Sequence, residues 1–324
     1  LSPYIGLIGD DGTLRYKIGA GLEQATFSNV NVGPDNYLDK AVSSSVSWQP
    51  LARHYFSGDL SSKDGHDPFG SFRTENNIPL DEGLDKWIEN KASLTYRYGS
   101  ASARINLESE ISADTRRYQT NRQYTQYLDY RVLGARETAF YNVSSKTALL
   151  AEVVHFQQVY YATTPGYSTN DGQENHIRVG VRWLATAHTS GDIRIGQYRR
   201  DSVLPTQPPV KALDWSATLN WSPLVYSHFS LQTGNQSQVS YLANVSYIEN
   251  RFATLSWVHE WSSVLQTHAS ATYLDSEFMA TARQDHIHTF AFEADYNASL
   301  RWQLIGGAAY SNRVSNEALL GFNV

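Results

Sequence analysis

Residues 211–234, KALDWSATLNWSPLVYSHFSLQTG, decide the fold. Leu213, Trp215, Ala217, Leu219 and Trp221 occupy every second position, and Asp214, Ser216, Thr218 and Asn220 fill the gaps; this period of two is that of a strand, with no helical period in it. Ser222 and Pro223 interrupt the run, after which Ser227, Phe229, Leu231 and Thr233 alternate with His228, Ser230 and Gln232. The expectation is two antiparallel strands joined by a very tight turn at Ser222-Pro223. Trp221 falls on the apolar face beside that turn, where a membrane barrel carries an aromatic anchor at the lipid headgroups.

Composition supports a strand-built protein. The 324 residues include 21 Tyr and 8 Trp but a single Met and no Cys. No stretch approaches the roughly 18 to 20 apolar residues of a membrane-crossing helix, so helical spans are excluded. The absence of cysteine suits passage through an oxidising periplasm without a disulfide. A formal net charge of -6 leaves no nucleic-acid footprint. No secretory signal is visible at Leu1, which fits a leader already removed or a chain that starts at the mature protein.

The same hairpin returns along the chain. Short breaks fall at Gln49-Pro50, Gly99-Ser100, residues 142–146, residues 188–191, Ser222-Pro223, Ser262-Ser263 and residues 297–299. Their spacing of roughly 35 to 50 residues is that of two strands plus one loop. Between them lie long polar segments, the longest being residues 61–85. Long loops at one end and tight turns at the other are the asymmetry of an outer-membrane barrel. Leu14, Tyr16 and Ile18 alternate with Arg15 and Lys17, and Ile177, Val179, Val181 and Trp183 alternate with Arg178 and Arg182. A face so rich in charge cannot be a packed core, so the apolar face is the one removed from water. Residues 146–161 are apolar on both faces near their start, and residues 124–140 lose their phase near Gly134, where a bulge is the expectation. The reading is an all-β, transmembrane, antiparallel up-and-down barrel of about 16 to 18 strands, a single domain over residues 1–324. Residues 1–12 are a first partial hairpin or an extension.

From His176 onward the motifs VGVRWLATAHTSGDIRIGQYRRD, LDWSATLNWSPLVYSHFSLQTG, LSWVHEWSSVLQTHASATY and LRWQLIGGAAYS resemble those of the Putative beta-barrel porin 2 family of outer-membrane proteins. Its repeated pattern is a strand ending in Trp-x-Pro or His-x-Trp, a tight turn, and a strand of the type Ser-x-x-Leu-x-Thr-x-Tyr. The first half of the chain resembles the family only in architecture. The resemblance implies a bacterial outer-membrane location and an exit for an exopolysaccharide, with no catalytic motif to carry over.

The inward faces supply a candidate pore lining. It comprises Arg15, Lys17, Arg53, Lys91, Arg97, Arg104, Arg178, Arg182, Arg194 and Arg301, with Glu23, Asp59, Glu108, Glu110, Asp192, Asp214, Glu293 and Asp295. Such a lining either guides an acidic polymer or braces the wall through ion pairs. Tyr55 and Tyr198 are candidates for stacking on sugar rings. Trp48, Trp183, Trp221, Trp261 and Trp302 form an aromatic girdle at the turn end.

His286 and His288 share a strand face without a third ligand at recognisable spacing, so no metal is expected. The DGHD of residues 64–67 is a solvated turn with at most weak affinity for calcium. No nucleophile elbow, Walker loop or zinc-protease helix is present, so neither a cofactor nor enzymatic activity is expected. The expected partners are the lipid bilayer and lipopolysaccharide, a polysaccharide cargo, and a periplasmic or inner-membrane export protein that supplies the energy. The rival readings are a general small-solute porin and a soluble, non-enzymatic carbohydrate-binding β protein.

Overall fold

The structure is a computed structural model that describes residues 3–26, 36–68, 75, 83–100, 102–163, 171–184, 188–203, 209–238, 240, 242, 245, 247–299, 302–317, 320 and 322–323. Its strands are β1 (Tyr4–Asp10), β2 (Leu14–Ala25), β3 (Tyr37–Leu51), β4 (His54–Asp67), β5 (Asp85–Tyr98) and β6 (Ile105–Tyr118). A single helical turn, α1 (Arg122–Thr125), precedes β7 (Tyr130–Ser144), β8 (Thr147–Tyr160), β9 (Gly172–Trp183), β10 (Thr189–Ser202) and β11 (Val210–Leu224). Then come β12 (Ser227–Gln238), β13 (Ile248–Glu260), β14 (Leu265–Phe278), β15 (Gln284–Ser299), β16 (Trp302–Ser315) and the two-residue β17 (Phe322–Asn323).

Every strand from β1 to β16 pairs antiparallel with its neighbours in sequence, and β17 pairs with the loop end of β16. The result is one up-and-down meander, with sixteen wall strands and one short terminal piece among the described residues. Most wall strands hold 12 to 16 residues. That exceeds the roughly 9 to 11 needed to cross a bilayer, so their ends project beyond the hydrocarbon.

Alternation settles which face is which. In β9, Ile177 and Val179 are 67% and 58% exposed. The side chain of Arg178 between them is only 16% exposed. A soluble sheet would reverse this, because water-facing aliphatic rows and a buried charged row lose free energy twice over. Leu213, Ile105 and Phe290 face outward in the same way. Among the described residues no helix is long and apolar enough to cross a membrane; the strands do the crossing.

Two of the tight turns lie three residues later than the sequence breaks suggest. Gln49 and Pro50 belong to β3 and Ser222 and Pro223 to β11, in each case inside a register shift that precedes the turn, between Trp48 and Leu51 and between Trp221 and Leu224. Proline has no N–H to give a ladder, and a bulge is where a barrel strand tolerates it. The turns themselves are Ala52-Arg53 and Val225-Tyr226. At the β1–β2 turn, Asp11 Oδ1 accepts from the N–H of Thr13 at 2.9 Å and of Leu14 at 2.7 Å, and Gly12 takes φ +90°, where a side chain would be strained.

Strands also run further toward the loop end than expected. β4 continues to Asp67, so residues 64–67 are strand and not a solvated turn. Their side chains are spent inside the sheet. His66 bonds Asp39 at 2.8 Å, and Asp67 accepts from Trp87 Nε1 at 2.7 Å and from the Tyr118 hydroxyl at 2.8 Å. Near Gly134 there is no bulge: β7 keeps register there with β6 and β8, its shift against β8 lying between Asn142 and Ser144. The glycine is there for another reason: a Cβ would come within 2.8 Å of the Phe156 ring and 2.5 Å of Ser112 Oγ.

One place in the wall departs from the meander's regularity. The β11–β12 ladder stops at Ser216 and Gly234, although both strands continue. Asn235 ends it by standing in for a peptide group, accepting from the Trp215 N–H at 2.8 Å and donating to the Leu213 carbonyl at 2.7 Å. Beyond it the β12–β13 end meets side chains of β8 and β10. Tyr198 donates to Glu249 at 2.7 Å, Tyr160 donates to the Ser240 carbonyl at 3.0 Å, and the Arg200 guanidinium lies 4.6 Å from the Tyr247 ring centre. Val245, Ile248 and Phe278 form a small buried apolar cluster beside this contact.

Candidate functional site

Residues directly opposed across a ladder share a face, so the register lists the lumen row by row. Along β5 to β11 the inward rows are charged. Arg97 donates to Glu108 at 2.7 Å, and Glu110 takes Arg136 on one strand and Thr95 on another. Glu152 is fully buried between Arg178, Arg194 and Thr138. Asp192 receives the Nε groups of Arg182 and Arg194, each at 2.7 Å. His176 then links Asp214 at 2.7 Å to Glu174 at 2.8 Å, and Glu174 receives Arg200 at 3.0 Å. Each cation meets at least one carboxylate, which is the condition under which buried charge is tolerated.

Along β11 to β16 the middle rows carry hydroxyls and amides instead. Thr218, Gln232, Thr254, Thr272, Thr289 and Ser311 lie in one continuous row by register. Thr254 and Thr272 are 3.1 Å apart, and Thr289 and Ser311 are 3.0 Å apart. At the loop end of this wall, Arg283 and Arg313 share Asp285, at 2.6 and 2.7 Å, and both reach Glu75 from the β4–β5 connection.

Against the charged wall lies a cavity of about 840 Å³, lined by residues of β2 to β10 and of β12. Ser43, Ser45, Ser61, Ser93 and Ser112 supply hydroxyls to it, Lys17, Lys91, Asp59 and Asp114 supply charge, and Phe156 supplies an aromatic ring.

The model of the family described as Putative beta-barrel porin 2 matches residues 89–324. The chain belongs to that family. Its place is the bacterial outer membrane, as the outward apolar rows require. No curated protein matches the chain.

Among solved structures the porin is similar to the FrpB iron transporter of Neisseria meningitidis, with a TM-score of 0.55 at 11% identity, covering 97% of this chain and 60% of that one. It is similar also to the copper transporter OprC, with a TM-score of 0.55 at 12% identity, covering 96% of this chain and 62% of that one. These likenesses concern the barrel fold. The porin chain spans about 60% of the FrpB chain.

The structure sorts the porin's sequence-predicted lining. Arg97, Arg178, Arg182, Arg194, Glu108, Glu110, Asp192 and Asp214 come together in the ion-paired rows. Lys91 bonds Glu89 at 2.8 Å, and Lys17 and Asp59 line the cavity. Arg15 pairs with Asp10 at 2.6 Å, and Glu23 accepts from the hydroxyl of the half-buried Tyr37 at 2.9 Å; Asp10, Arg15 and Glu23 are exposed. Glu293 and Asp295 sit on β15 away from any cation among the described pairs.

Two expectations are corrected. Arg53 is in the β3–β4 turn and exposed, because the strand ends one step later than its proline suggests. Arg104 precedes β6 and holds its guanidinium 5.8 Å from the centre of Tyr141, whose opposed residue is the outward Ile105. A cation on an aromatic face at the rim is more stable there than unpaired inside. Arg301 lies outside the described residues.

The sugar-stacking tyrosines also shift. Tyr198 is 3% exposed and offers no free face. Tyr55 has the Arg97 guanidinium 5.1 Å from its ring centre. Trp48, Trp221, Trp261 and Trp302 lie exposed at the turn end of the wall, with Trp48 stacked on Phe56 and Trp221 on Phe229. Trp183 covers Gly191 on the neighbouring strand. His286 and His288 flank Tyr273, and among the described residues no three His, Asp or Glu gather to hold a metal ion.

Sequence reasoning missed Glu152, Arg136, Glu174, Arg200 and Phe156. Glu152 and Phe156 fall in the stretch that is apolar on both faces, where alternation gives no sign of which side is wet. The structure resolves it: Leu149 points to lipid, while Leu150 packs inward with Phe140 and Ala148.

Proposed function

We propose that this porin gives passage to a secreted exopolysaccharide through its water-filled lumen, without catalysis and without a cofactor. The observation that carries the reading is the hydroxyl-lined cavity of about 840 Å³ against the charged wall, in a member of this porin family. Hydroxyl and amide rows exchange hydrogen bonds with a glycan as readily as with water, so a sugar chain slides without a deep trap. The arginines at Arg178, Arg182 and Arg194 are each held by carboxylates, which favours bracing of the wall over guidance of an acidic polymer. In this reading the barrel is a passive conduit: a periplasmic or inner-membrane partner feeds the polymer, and the bilayer and lipopolysaccharide hold the wall.

Deletion of the gene tests this: loss of surface polysaccharide with unchanged uptake of small solutes is expected. A normal polysaccharide coat would sink it. The second reading, a small-solute channel, is favoured by the packing of the β12–β13 end against β8 and β10, which narrows the loop-side mouth. Unitary conductance of small ions in planar bilayers, with a normal coat on deletion, would select that reading.

A further inference from the structure

We infer that the luminal cavity beside β7 and β8 is a saccharide-binding subsite, built on the ring of Phe156 and taking an uncharged glycan unit; the inference rests on the passage of a polysaccharide through this lumen. Phe156 is the aromatic ring of the cavity lining, and it is half-buried with part of its surface in the lumen. Its back is against the wall: Gly134, directly opposite by register, leaves room that any Cβ would fill, at 2.8 Å from the ring. His176 makes a T-shaped contact with it, with centroids 5.9 Å apart. A ring seated by its neighbours on the wall and still part-exposed to the lumen is a platform for the apolar face of a pyranose.

The polar atoms around it are set for hydroxyls. Gln158, two residues on and on the same face, is 6% exposed; its Oε1 accepts from Arg200 at 3.3 Å, while its Nε2 is buried in the cavity wall without a partner in the protein. Asp114 Oδ1, across the ladder from this region, is likewise buried and unpartnered, its other oxygen lying 3.9 Å from Lys91. Buried polar atoms left unpaired are rare in folded proteins and point to a partner that comes and goes. One partner lacks an acceptor and the other a donor, and a sugar hydroxyl is both. The lining's carboxylates Asp59, Asp114 and Glu174 stand beside Lys17, Lys91, Arg178 and Arg200, of which Lys91, Arg178 and Arg200 are already held by Glu89, Glu152 and Glu174. Little cationic charge is left over for a carboxylated sugar, so the unit that fits is neutral. The volume of about 840 Å³ is within the range of small-ligand pockets.

The test is calorimetric titration of the detergent-solubilised full chain with maltohexaose as the neutral probe and hexagalacturonate as the anionic one. The expected result is binding of maltohexaose that weakens about fivefold or more in Phe156→Ala and recovers in Phe156→Tyr. Gln158→Leu, which keeps the shape and removes the donor, weakens it by about threefold or more. Hexagalacturonate binds more weakly than maltohexaose in the parent chain. Heat-modifiable gel migration checks that each variant is folded. Affinity unchanged in both Phe156→Ala and Gln158→Leu overturns the subsite, as does a parent chain that binds neither probe or prefers the anionic one. A deletion strain with a normal coat sinks the export reading while leaving these titrations as they are, so the two failures are distinguishable.

Discussion

Between β5 and β11 the inward face is held together by ion pairs, and across the middle of β12 to β16 it is held by hydroxyl contacts. Both walls are polar, and both follow the same alternation, yet they answer to different energetics. A carboxylate such as Glu152, with no exposure and two arginines on it, is stable only as part of its group. A threonine pair such as Thr254 and Thr272 stands beside water and loses little if one member goes. The first wall is therefore a brace whose members depend on each other, and the second is a surface that tolerates exchange. What the contrast teaches is that charge in a barrel lumen is not by itself a sign of ion traffic; its partners decide.

The comparison breaks most visibly at Glu152. Glu152→Gln leaves Arg178 and Arg194 without their shared carboxylate, and a loss of roughly 3 to 5 kcal/mol is expected from such a vacancy. A lower temperature for conversion from the compact to the unfolded gel species measures it. No change there would mean the arginines are not held by this group.

A smaller effect is expected at the seat of Phe156. Gly134→Ala places a methyl 2.8 Å from the ring and 2.5 Å from Ser112 Oγ, and over-packing of this kind costs about 1 to 3 kcal/mol. It should also weaken maltohexaose binding, because the ring is pushed off the wall, and the two readouts together separate displacement from simple unfolding. The hydroxyl wall should yield less. Thr254→Val removes one hydrogen bond between side chains, so a change near or below about 1 kcal/mol is expected in the same migration assay. A loss as large as that of Glu152→Gln would erase the distinction between the walls.

The smallest effect concerns pH at the β1–β2 turn, outside the bilayer. Backbone N–H donors from Leu14 and Thr13 hold the Asp11 carboxyl below the ordinary aspartate value. A depressed value in the folded chain means its stabilisation is fully present above about pH 4 and fades as pH falls through the folded value. The protection factors of the Thr13 and Leu14 amides, which divide out intrinsic exchange, should fall on acidification and stay constant over that window in Asp11→Asn.

How much of this was legible follows from range. The alternation at Leu213 to Trp221 predicts the strand, its facing and the apolar wall, because the period of two is local and lipid demands it of every strand. The same reasoning fails at Gly134, where a break in phase looks like a bulge. The cause is a ring 22 positions later, on the next strand, that needs the space. It fails at Arg53 and Arg104 because strand ends are set by bulges and by aromatic neighbours, neither of which alternation reports.

From the sequence alone came an outer-membrane barrel, its in-and-out pattern, its turn-end aromatics and its family resemblance. Each depends on neighbours in the chain or on the solvent that every strand shares. Which arginine meets which carboxylate, that Tyr198 is closed to a sugar while Phe156 is open to one, and that Asn235 ends a ladder were decided only in three dimensions. Those outcomes depend on register between strands that lie tens of residues apart, and a shift of one residue would hand every charge a different partner.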